Sequence, residues 1–299
     1  MSFLSLNGTE LYYSDSLSDK AGSTSQPTIL FVNGWALSSQ YWQPLCQELP
    51  NFLKAPFRFI THDHSGTGST RRKSVQNSDK KIQISDFIDE SCDLIESLQL
   101  GVSTPLHIVG HSMGSIIAAG IPYALQQRRL KSKTDSLTII ACGIFKYSPI
   151  QMSILSAFIN TSISLKWLFN LEFFQKSFIR KATSQPIPQQ YERIVVNDFM
   201  NTDSDTTVAV GMASLDPKIL ALYESHLIQY EAPMHLCVGD EDKTIPPEGM
   251  TTLFQVRSTK SSARTAFSRF SNLGHLPMLE DTKGFAAELA KFYNSISNY

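Results

Sequence analysis

Three short segments of this 299-residue chain carry the residue types that serine nucleophilic catalysis requires. The first is Gly110-His111-Ser112-Met113-Gly114, which follows the apolar run Leu106-His107-Ile108-Val109 and leads into Ser115-Ile116-Ile117-Ala118-Ala119. A serine hydroxyl is a weak nucleophile until a base takes its proton and an acid orients that base. A sharp strand-to-helix turn exposes such a serine, and the flanking glycines let the two backbones approach where a Cβ would collide. In this chain order the acid follows a late strand and the histidine lies near the C-terminus. Gly239-Asp240-Glu241-Asp242 follows the apolar strand ending Cys237-Val238 and offers three acids, of which Asp242 lies deepest in its loop and best able to turn back. Asn272-Leu273-Gly274-His275-Leu276-Pro277 supplies a histidine directly after the last strand. Ser112, His275 and Asp242 are therefore the expected nucleophile, base and orienting acid.

The oxyanion formed by attack on a carbonyl needs two amide donors. Met113 offers one at a helix N-terminus, and Trp35 offers the other from Asn33-Gly34-Trp35, the loop after the strand Thr28–Val32. The remaining histidines have blander readings. His62 and His64 share a loop without further ligands nearby, His107 and His235 lie within strands, and His226 reads as a surface residue. Cys46, Cys92, Cys142 and Cys237 form no Cys-x-x-Cys pair, which argues against a zinc site or a disulfide framework. No metal or cofactor is expected.

The elements that must position these residues read as alternating strands and helices. Eight strands are expected: Ser2–Leu6, Glu10–Tyr13, Thr28–Val32, Phe57–Thr61, Leu106–Val109, Leu137–Cys142, Met234–Gly239 and Arg264–Phe270. Asn7-Gly8 is a hairpin signal between the first two. Helical spacing marks Gln40–Leu49, Ile84–Leu98, Glu248–Val256 and Lys283–Ser297. This α/β alternation implies a doubly wound, mostly parallel sheet of eight strands. Residues 148–230 break the rhythm with helical patterns, many of them apolar and aromatic, and no convincing strand. They form an expected helical cap inserted after strand six, over the sheet edge where such folds bind ligands. The core domain is then 1–147 with 231–299.

Hydrophobic residues at 42% and charged residues at 18% describe a chain with a substantial core. A formal net charge of −1 argues against a nucleic-acid surface. The uncharged stretch Tyr147–Leu165 is broken by polar residues and a proline, so no membrane span is expected. No basic, apolar leader is evident at Met1, and a cytoplasmic protein, monomeric or homodimeric, is expected.

Together these pieces resemble the α/β-hydrolase superfamily. The resemblance rests on Gly110–Gly114, on Gly239 through Pro246 and on Gly274-His275-Leu276-Pro277. Asp63-His64-Ser65-Gly66-Thr67-Gly68-Ser69 is similar to the family's Asp-x-x-Gly-x-Gly-x-Ser loop. Within the superfamily the chain resembles small capped carboxylesterases and lactonases, including pimeloyl carrier-protein methyl ester esterases and enol-lactonases. It departs at Asn33, where the family usually has histidine before the glycine of the oxyanion loop. The resemblance implies a serine hydrolase acting on an ester, thioester or lactone with an apolar acyl group. Asn33, Gly34, His111, Phe158 and Trp167 are the expected substrate-binding residues. Carbon–carbon bond hydrolases, perhydrolases, cofactor-free dioxygenases and ligand receptors that keep the triad are the alternatives on the same scaffold.

Overall fold

The computed structural model describes residues 2–6, 9–17, 25–72, 82–145 and 147–296. The Asn7-Gly8 hairpin signal lies outside the described residues. Strands β1 (Ser2–Leu6), β2 (Thr9–Asp15), β3 (Thr28–Val32), β4 (Arg58–His62), β5 (Arg71–Arg72), β6 (Leu106–His111), β7 (Ser136–Ile140), β8 (Met234–Gly239) and β9 (Thr265–Phe270) form one sheet. Eight of them run continuously in the order β1-β2-β4-β3-β6-β7-β8-β9. The ninth, β5, is a two-residue strand beside β2 that hydrophobic patterning gave no means to find. β2 is antiparallel to β1, β4 and β5, and every pair from β4 to β9 is parallel.

Burial on both faces explains the apolar central strands. Side chains alternate across a strand, and here the alternation separates two cores. Leu30, Val32, Leu106, Ile108, Leu137, Ile139, Leu236 and Val238 face one of them. Helices α2 (Ile84–Ser97), α3 (Met113–Gln127) and α9 (Glu248–Lys260) cover it with Phe87, Ile117 and Leu253, among others. Ile29, Phe31, Val109, Ile140 and Cys237 face the other. Helix α1 (Gln43–Glu48) and the C-terminal helix Thr282–Ile296 cover that face with Leu45, Phe285, Leu289 and Tyr293.

Between β7 and β8 lie α4 (Pro149–Ser164), α5 (Glu172–Ala182), α6 (Gln189–Asn201), α7 (Ser204–Ala213) and α8 (Pro217–Gln229), with a 3₁₀ turn at Lys166–Asn170. This segment holds two kinds of helix. The last one, α8, packs against the sheet-covering layer rather than over the sheet edge. Its Tyr223 and Leu227 join the first core, Tyr223 Oη donates to the Cys142 carbonyl at 2.5 Å, and Arg257 donates to the Leu227 carbonyl. The other four helices close on an aromatic cluster, in which Phe169, Phe178 and Phe199 have centroids 4.8–5.3 Å apart. Among the described residues no helix is long and apolar enough to cross a membrane.

Candidate active site

Ser112 sits where β6 turns into α3, with φ 54° and ψ −125°. Such a left-handed serine costs of order 1–3 kcal/mol and persists only when its surroundings fix it. They do so here by close packing. A Cβ on Gly110 would lie 2.5 Å from the Gly114 carbonyl, and one on Gly114 would lie 2.4 Å from the Val32 and Asn33 carbonyls. The Ser112 amide donates to the Ile140 carbonyl at 2.8 Å, which anchors the turn on β7.

His275 and Asp242 meet at 2.7 Å, His275 Nδ1 donating to Asp242 Oδ2. The other carboxylate oxygen, Oδ1, accepts the Thr244 and Ile245 amides, each at 2.8 Å. An acid held at both oxygens cannot rotate away, and it fixes the histidine tautomer with a lone pair on Nε2. Asp240 instead pairs with Arg269 at 2.8 Å. Ser112 and His275 line one cavity of about 140 Å³, together with Gly34, Trp35, His111 and Leu276 from the sheet side. From the inserted helices come Leu155, Phe158, Phe178, Lys181 and Val195. A larger open groove of about 1370 Å³ runs between the loop at Gly66 and α7. It contains neither Ser112 nor His275, so size does not locate the chemistry.

The amides of Met113 and Trp35 have no acceptor among the described residues, as the opening of a helix and a loop beside it would leave them. The Trp35 ring is anchored elsewhere. Its Nε1 donates to the Thr207 carbonyl at 2.8 Å, and it packs edge-to-face with Phe199, the ring centroids 6.0 Å apart.

The expected substrate-binding residues divide. Gly34, His111 and Phe158 line the cavity. Asn33 does not: it is fully buried, its Nδ2 donates to the His62 carbonyl at 2.7 Å and its Oδ1 accepts from Trp42 Nε1 at 2.9 Å. It braces the loop instead of facing a ligand. Trp167 does not either: it is 62% exposed, on the 3₁₀ turn Lys166–Asn170 whose buried side chain is Phe169.

Three contributors had no clear signal in the sequence. Tyr41 Oη accepts the Gly34 amide at 3.1 Å and donates to His111 Nδ1 at 3.2 Å, while His111 Nε2 donates to the His275 carbonyl at 2.8 Å. Burial holds His111 well below the usual imidazole range, so it stays neutral in this chain of bonds. Glu280 accepts amides from Ser184 (2.6 Å), Gln185 (2.8 Å), Gly274 (2.9 Å) and Leu276 (3.3 Å), and so ties the end of α5 to the His275 loop. Lys181, on α5, is not among the site residues expected from the sequence. The available hint is its spacing of three from Phe178, which puts the two on one face of α5.

A family model described as the alpha/beta hydrolase family matches residues 29–288. RutD of Agrobacterium fabrum, provisionally named a carbamate hydrolase, is 35% identical over 114 residues, 38% of each chain. The bifunctional esterase/perhydrolase DCH of Acinetobacter calcoaceticus is 33% identical over 108 residues, 36% of this chain and 33% of that one. The match thus spans about a third of the length of these curated relatives. The solved esterase EaEST of Exiguobacterium antarcticum superposes with a TM-score of 0.74 over 97% of this chain and 98% of its own, at 16% identity, which is a likeness of fold. With its sheet order, its strand-to-helix serine and this match across most of its length, the chain belongs to the alpha/beta hydrolase family.

Proposed function

We propose that this hydrolase acts through an acyl-enzyme on Ser112, cleaving small esters, thioesters or lactones whose acyl group is largely apolar. The observation that carries the reading is the buried 2.7 Å contact of His275 Nδ1 with Asp242 in the cavity that Ser112 lines. His275 Nε2 takes the Ser112 proton as the hydroxyl oxygen bonds to the substrate carbonyl carbon. The resulting oxyanion is held by the Met113 and Trp35 amides. The same proton then goes to the leaving group as the carbon–oxygen or carbon–sulfur bond breaks. Water, deprotonated by His275, hydrolyses the acyl-enzyme by the reverse sequence. Helices α4 to α7 act as the cap of this site, and their aromatic side chains favour apolar acyl groups over sugars or phosphates.

Labelling with a fluorophosphonate and turnover of p-nitrophenyl acyl esters test the reading. The wild type labels and turns over, and Ser112→Ala does neither. Equal rates for the two proteins would overturn it.

A further inference from the structure

Among the described residues, Lys181 is the only lysine, arginine or acid that lines the cavity at Ser112, and it is exposed, which puts it at the cavity's rim. Its Nζ lies 3.8 Å from the centroid of the Phe158 ring, itself a lining residue. It forms no ion pair or side-chain hydrogen bond among the described residues. Elsewhere on α5, Lys176 takes Glu172 one turn back as an ion pair. Lys181 has no such partner in reach: positions three and four away are Phe178, Ser184, Ser177 and Gln185. An aromatic face attracts a cation but leaves its N–H donors unfilled. Lys181 therefore presents an uncompensated charge at the mouth of an otherwise apolar pocket.

Its backbone is fixed relative to the reacting groups. The Lys181 carbonyl accepts from Thr244 Oγ1 at 3.4 Å, in the loop that carries Asp242. The next carbonyl, of Ala182, accepts the His275 amide at 2.8 Å. Glu280 then grips Ser184 and Gln185. The charge is thus registered on both the acid loop and the histidine loop. No arginine lines the cavity with Lys181, and one lysine suits a singly charged group better than a phosphate. A cavity near 140 Å³ has about the room that holds a benzene-sized molecule.

We propose that Lys181 is the specificity residue of this site, and that the preferred substrates are small esters, thioesters or lactones carrying a free carboxylate that pairs with its ammonium. This rests on the Ser112 hydrolase reading above. The carboxylate can belong to the acyl part or to the leaving group, and two substrate pairs separate these cases. Monomethyl glutarate against methyl pentanoate probes the acyl side, and butanoyl glycolate against propyl butanoate probes the leaving-group side.

The quantity to measure is the ratio of kcat/KM within each pair, which cancels any loss common to both members. In the wild type one ratio favours the carboxylate by about tenfold at low salt, and falls as NaCl rises from about 20 mM to 0.5 M. In Lys181→Met that ratio drops to about one, and in Lys181→Arg most of it is kept. Calorimetry on Ser112→Ala supplies a readout free of turnover: monomethyl glutarate or butanoyl glycolate binds, and the double variant Ser112→Ala/Lys181→Met binds it about tenfold more weakly. Neutral esters turned over with no charge preference, or a preference untouched by Lys181→Met, would overturn the assignment of Lys181 and leave the hydrolase reading standing. Absence of both labelling and turnover would overturn the hydrolase reading instead, and the calorimetry still decides whether Lys181 receives a carboxylate.

Discussion

Around the Ser112 cavity, the side chains of the wall built from the sheet loops are held by hydrogen bonds, whereas those of α4 and α5 pack by ring contacts and it is the backbone at the end of α5 that is hydrogen-bonded to the loops. On the first wall, Asp242 spends both oxygens, His111 both ring nitrogens and Asn33 both ends of its amide. On the second, Phe169, Phe178 and Phe199 pack at 4.8–5.3 Å and the Lys181 ammonium rests on Phe158. Hydrogen bonds are directional and lose their value with small displacements, whereas apolar packing tolerates swaps of similar volume. In the proposed reading, the first wall sets the reaction geometry and the second selects among substrates.

Substitutions can break or sharpen that contrast. Ser112→Ala has the largest expected effect, a fall on the order of 10⁶-fold in kcat with p-nitrophenyl esters. Asp242→Asn follows at about 10⁴-fold, because an amide can donate to His275 Nδ1 and so force the proton onto Nε2. Rescue of this variant by a substitution in α4 or α5 would contradict the division of labour. Glu280→Gln places a donor against several amide donors, and we expect a loss of about 2 kcal/mol of stability, a melting point about 4 °C lower and a several-fold drop in kcat.

Asp198 tests the seam between the walls. This buried α6 carboxylate accepts the Ser38 amide at 2.7 Å, and burial, with Asp63 nearby, pushes its pKa up to about 6. The folded value lies above the unfolded one, so the favourable contribution of the protonated carboxyl is complete below about pH 4 and is lost as pH rises through about 6. Asp198→Asn should therefore raise the melting point at pH 8, relative to wild type, more than at pH 4.5, by up to about 2–3 kcal/mol of stability. The same increment at both values would refute the charge-burial account. Trp167→Ala stands at the small end. The residue is 62% exposed and does not line the cavity, so kcat/KM should stay within about twofold.

The fold was legible because burial imposes periodicity. The central strands of the sheet bury both faces, so their continuous apolar runs announce them, as do Gly110 and Gly114 where backbones must touch. β5 was not legible, since two arginines paired with β2 carry no such pattern. The loop with Asp242 and the loop with His275 were found from chain order alone, and their contact across 33 residues of sequence separation is a property of the sheet that carries both. Cavity residues on the inserted helices were read poorly for a different reason. Apolar side chains are so abundant from Met152 to Phe178 that type does not reveal direction. Phe158 faces the cavity and Phe173, of the same type, is 76% exposed. Composition also hides α8, whose Tyr223 belongs to the core under the sheet although it lies in the same helical run.

Glu280 grips its neighbours entirely through backbone amides, at Ser184, Gln185, Gly274 and Leu276. A contact to main chain is indifferent to the side chains it holds. Foreign helices spliced in upstream of Thr183 would therefore arrive at the histidine loop in the same register, whatever their sequence. That makes the junction a natural seam for recombination: in the proposed reading, α4 and α5 can be exchanged while the loop that carries His275 keeps its place.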